Sequence, residues 1–98
     1  MQIHVGVAFL ALLLSWSLEI PWKHVLLVFF SILFVMILEL VNTAIEATVD
    51  LITVEFHPLA KVAKDVAAGA VLLGAAWAVV VGFYVFFEPL MNVLRNLI

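Results

Sequence analysis

Four polar side chains recur at three- and four-residue intervals in "ELVNTAIEATVD": Glu39, Asn42, Glu46 and Asp50. On a helix, at about 100° per residue, they fall within an arc of about 80° and form one stripe descending about two to three turns. Directly ahead runs "VLLVFFSILFVMIL", residues 25–38, in which Ser31 is the only polar residue. An ionisable group near mid-bilayer costs at least about 2.5–3.5 kcal/mol on insertion scales, so a stripe of them beside lipid-like sequence points to function. A helix that has emerged into water explains Asp50 and Glu46 equally well. It explains Glu39 poorly, because Glu39 adjoins the hydrocarbon run and shares a face with Asn42.

The stripe has a counterpart further along. Lys64 and Asp65 open a third helical segment, and the short turn before it, "VEFHPL", makes the second and third segments antiparallel neighbours. Lys64 then lies at the depth of Asp50 or Glu46. Carboxylates suit Mg²⁺, which binds a few oxygens and shares the rest with phosphate. A lysine supplies a point charge for phosphate, and a deeper carboxylate, Glu39, can take a proton from a lipid hydroxyl. Together these amount to phosphoryl transfer at a membrane surface. Two blander readings stand beside it: a salt-bridged helix pair and the polar lining of an ion path.

The rest of the chain must hold those groups at a membrane. Of 98 residues, 68% are hydrophobic and 11% charged, against about 45–50% and about 25% in a soluble domain. Mean hydropathy is +1.37. So little polar surface cannot cover a globule, and the bilayer becomes the expected solvent. Net charge is −3 with four basic residues, which leaves no footprint for nucleic acid. Cysteine is absent, which excludes disulfides. "MQIHVGVAFLALLLSW" has no Lys or Arg before its apolar run and reads as a retained membrane segment, not a cleaved signal.

The expected fold is all-α, one domain over residues 1–98 with three transmembrane helices at about 3–20, 22–52 and 59–87 and a short interfacial tail at 88–98. The first span is short for a hydrocarbon core of about 30 Å. Pro21 disfavours helix at Ile20 and can open the second helix, and Pro58 suits the first position of the third. Trp22 and Lys23 suit a water interface. Ala60, Ala63, Ala67, Ala70 and Gly74 form a strip of small residues that lets helices approach closely in lipid. Lys61 and Lys64 fall on one side of the membrane and Lys23 and Arg95 on the other, so positive charge does not choose an orientation.

"ELVNTAIEATVDLI" followed by "EFHPLAKVAKDVAAGAVLL" closely resembles the bacterial diacylglycerol kinase and undecaprenol kinase family of small integral-membrane lipid kinases. The shared pattern, E-x-x-N-[ST]-A-I-E-x-x-V-D and then A-K-D, covers roughly Leu38 to Leu73. The resemblance implies a multi-pass homotrimer in the bacterial cytoplasmic (inner) membrane, with composite sites between subunits, phosphorylating a membrane lipid alcohol with ATP and Mg²⁺. By matched position Glu39 is the expected catalytic base and Glu46 the magnesium-binding carboxylate, also on the nucleotide. Glu55, Phe56, His57, Lys64 and Asp65 are the other expected nucleotide contacts, and Asn42, Asp50 and Ala68 supporting or substrate-facing positions. The resemblance also puts the turn at residues 50–60 on the cytoplasmic side.

Family members carry an amphipathic surface helix ahead of the first span, ending in a Glu and a stretch like "NFQIH"; here the sequence opens at Met1-Gln2-Ile3-His4. The surface helix and its metal-binding glutamate are therefore expected to be missing, through a start assigned too late, a truncation or a genuinely shortened product. The "HPLAKVAKDVAAGA" turn looks more like the undecaprenol-type members, which favours undecaprenol over diacylglycerol. The alternatives are a non-enzymatic membrane oligomer, either a pore or an assembly partner, and an inactive truncated kinase.

Overall fold

A computed structural model describes residues 2–98, and all regular structure in them is helical. The helices are α1 (Gln2–Ser17), α2 (Trp22–Ile52) and α3 (Pro58–Leu97). The molecule is a rod, 58 × 20 × 18 Å along its principal axes. Both α2 and α3 are long and apolar enough to cross a membrane; α1 is apolar but has 16 residues, about 24 Å of rise. Lipid offers no partner for a free N–H or C=O, so continuous helix is the structure such apolar runs must adopt.

Each helix packs through a seam of three- and four-residue spacings. On α2 the buried or half-buried residues include Val28, Ser31, Val35, Leu38, Asn42, Ile45 and Val49; on α3 they include Ala60, Ala63, Ala67, Val71, Gly74, Ala78, Val81 and Val85. This is knobs-into-holes spacing, and small residues at the α3 seam let the two backbones close up. At Gly74 an added Cβ would run into Leu38 Cδ1. Ala70, expected in the same strip, is exposed instead, because the true seam steps from 67 to 71 and 74. The face of α1 that packs on α2 carries His4, Ala8, Ala11 and Ser15, and Leu18 just beyond the helix continues it.

Two boundaries differ from the sequence expectation. The first helix ends at Ser17, not near residue 20. Glu19 takes a left-handed conformation (φ 54°), and its N–H donates to Trp16 O while Ile20 N–H donates to Ser15 O. This is a Schellman closure, which satisfies the last carbonyls and ends the helix three residues early. Pro21 then serves as N-cap of α2, its carbonyl accepting from His24 and Val25. At the other end, no separate tail begins at residue 88: α3 runs through Pro89 to Leu97. Proline removes one helical hydrogen bond, and the helix formers on either side carry the helix past it. Pro58 does stand at the start of α3, as its fixed φ favours.

Candidate functional site

The polar stripe of α2 divides among three neighbourhoods, because α1 and α3 each cover part of it. Glu39 faces α1. Its side chain is 19% exposed and its Oε1 stands 3.7 Å from His4 Nε2. Asn42 sits on the seam with α3, half-buried, with Nδ2 donating to Glu46 Oε1 at 3.4 Å. Its Oδ1 is buried without a partner. Glu46 itself is exposed.

Asp50 lies furthest along the stripe and reaches across to α3, where Lys64 Nζ donates to its Oδ1 at 2.6 Å. That pair meets the depth expected for Lys64. It is compatible with the antiparallel register of α2 and α3 that Leu38 against Gly74 sets. Asp65, the next residue, turns away and pairs with Lys61 one turn back at 2.6 Å. A step of about 100° separates neighbours on a helix, so one helix cannot aim both Lys64 and Asp65 at α2. Ala68 is likewise exposed, off the seam.

The turn at 53–57 is held locally. Thr53 Oγ1 accepts from Glu55 N–H and donates to Glu55 O. His57 caps α3: its Nδ1 accepts from Leu59 N–H at 3.1 Å, which leaves Nε2 open to solvent. Phe56 is 80% exposed, and the Glu55 side chain is also exposed. The fold thus brings Glu55, Phe56 and His57 to the same end as the Asp50–Lys64 pair, with no hydrogen bond or ion pair joining them to it among the described residues. Among the described residues no three His, Cys, Asp or Glu side chains converge on a point.

One residue that sequence reasoning passed over enters the site. Among the described residues, His4 is the side chain of α1 paired with the stripe. Its signal was present in the spacing: it falls on the small-residue stripe with Ala8, Ala11 and Ser15.

Comparison with known proteins identifies relatives of the chain. A family model described as prokaryotic diacylglycerol kinase matches residues 1–86. The undecaprenol kinase of Bacillus subtilis is 43% identical over 89 residues, covering 91% of this chain and 72% of that protein. A diacylglycerol kinase from Synechocystis sp. is 56% identical over 61 residues, 61% of this chain and 35% of the relative. The diacylglycerol kinase of Escherichia coli K12 is 41% identical over 76 residues, 76% of this chain and 62% of the relative. The chain therefore spans less than two thirds of the length of two of these three relatives. The family match reaches from α1 to Phe86 within α3 and takes in every residue of the α2 stripe: the chain belongs to the prokaryotic diacylglycerol kinase family, whose named members are lipid kinases.

Proposed function

We propose that this chain phosphorylates the hydroxyl of a membrane lipid alcohol with ATP, undecaprenol being favoured over diacylglycerol, at the cytoplasmic face of a bacterial inner membrane. The observation that carries the reading is the division of the α2 stripe. A carboxylate, Glu39, is screened from water beneath α1, and charged groups, Asp50 and Lys64, stand at the wet end of the same face. A lipid hydroxyl approaches the first and a triphosphate the second.

Glu39 accepts the hydroxyl proton as the lipid oxygen attacks the γ-phosphorus; the bond to the β,γ-bridging oxygen breaks and ADP leaves. Lys64 exchanges part of its contact with Asp50 for phosphate oxygens. Glu46 fits Mg²⁺: its exposed carboxylate offers oxygen donors, and Asn42 Nδ2 supports it by donating to Oε1 at 3.4 Å. A hard cation takes few protein ligands when phosphate completes its shell. Bound there, Mg²⁺ would neutralise charge on the phosphates. Glu55, Phe56 and His57 border the same end and complete a nucleotide surface. Asp65 and Ala68, turned outward, face a neighbouring subunit in a homotrimer, which also covers the apolar flanks of the helices. Breadth of match supports undecaprenol, since the relative of that name aligns with 91% of the chain.

The test is turnover in mixed micelles containing MgATP and either lipid alcohol. Phosphorylated lipid is expected, with Glu39→Gln lowering kcat by about a thousandfold or more while the oligomer persists. Full turnover in Glu39→Gln removes Glu39 from the base role. Ion flux through liposomes without ATP consumption favours a pore instead.

A further inference from the structure

We propose that His4 is a positioning residue for Glu39, fixing its carboxylate so that one oxygen is presented to the lipid hydroxyl; the inference rests on the phosphotransfer reading above. His4 lies on the packed face of α1, where Ala8, Ala11 and Ser15 bring that helix close against α2. Close approach carries the imidazole to the stripe, with Nε2 3.7 Å from Glu39 Oε1. The other ring nitrogen, Nδ1, is buried without a partner. A polar atom buried in that way is a cost to the fold, and an imidazole that served only to fill space would be bettered there by an apolar side chain.

The ring also borders a cavity of about 380 Å³ between the three helices, lined by Val7, Ala11, Met36 and Ala78 among others. His4 therefore stands where apolar space meets the carboxylate. A glutamate side chain has several rotatable bonds, and a base is effective only when aimed. An N–H directed at Oε1 restricts the carboxylate and leaves its second oxygen for the incoming proton. The 3.7 Å separation is longer than a hydrogen bond, as catalytic contacts often are before substrate tightens them.

Steady-state assays with MgATP separate positioning from packing. His4→Ala is expected to lower kcat about tenfold or more with KM for MgATP changed by less than about twofold, because only the transition state uses the aimed carboxylate. His4→Gln, whose amide N–H can reach the same oxygen, restores several-fold of the loss. A second measurement needs no turnover: the side-chain ¹⁵N signals of His4 in micelles shift in Glu39→Gln and stay in place in Asp50→Asn. Turnover that survives His4→Ala, or His4 signals unmoved by Glu39→Gln, overturns the role. A wild-type chain without any turnover overturns the phosphotransfer reading and this role with it.

Discussion

The chain reverses direction twice, at residues 18–21 and at residues 53–57, and the two ends of the rod are built differently. The first end is apolar and closed. Ile20, Val28, Val81 and Val85 pack there as one cluster, with Ala11, Leu18, Val25, Ile32 and Phe86 around it, and Val85 is 1% exposed. Trp16 and Trp22 lie on its surface, where indoles suit a membrane–water boundary, and His24 and Tyr84 stack at a tilt, ring centroids 5.4 Å apart. Among the described residues the second end shows no such cluster: Glu46, Asp50, Glu55, Phe56 and Asp65 are all exposed, and its cross-helix tie is the Asp50–Lys64 pair. Exposed ion pairs contribute little stability. The closed end therefore holds α2 against α3, and the polar end is free to exchange its contacts for those of a ligand.

The seam that transmits this stability passes through Gly74, and the largest effect is expected there. Gly74→Leu places a branched side chain where a single Cβ already meets Leu38; overpacking of this kind costs about 1–3 kcal/mol. Because the seam joins both ends, the substitution should lower resistance to denaturation in micelles and turnover together. Stability retained in Gly74→Leu would mean that the two long helices are held by something other than this seam.

Lys64→Met sharpens the contrast by acting at the polar end alone. KM for ATP is expected to rise about tenfold through loss of a phosphate-directed point charge, with the denaturation midpoint unchanged. A fall in that midpoint with unaltered KM would reassign the Asp50–Lys64 pair to structure. The smallest effect belongs to the closed end, at Glu19. A left-handed non-glycine residue carries a penalty of about 1–2 kcal/mol, and glycine relieves part of it, so Glu19→Gly should raise stability by about 0.5–1 kcal/mol. Destabilisation instead would show that the Glu19 carboxylate holds the turn.

Helix positions were legible from composition because lipid leaves an apolar run no other way to satisfy its backbone. The stripe from Glu39 to Asp50 and its partner Lys64 were legible from spacing and from a short antiparallel turn. Two boundaries were not. The end of α1 depends on Glu19 adopting a conformation that its side chain disfavours, and the passage of α3 through Pro89 depends on how the flanking residues continue the helix.

By itself the amino-acid order determined that the chain is helical, that its polar groups line one face, and which family it resembles. Those properties follow from periodicity and residue type, which are local. Only the tertiary structure decided that Glu39 meets His4, that Asn42 enters the seam with an unpartnered oxygen, and that Lys64 turns towards Asp50 while Asp65 turns away. Such choices depend on the rotation and depth of one helix against another. Packing at Leu38, Gly74 and the Val85 cluster sets both, far along the chain from the charges it positions.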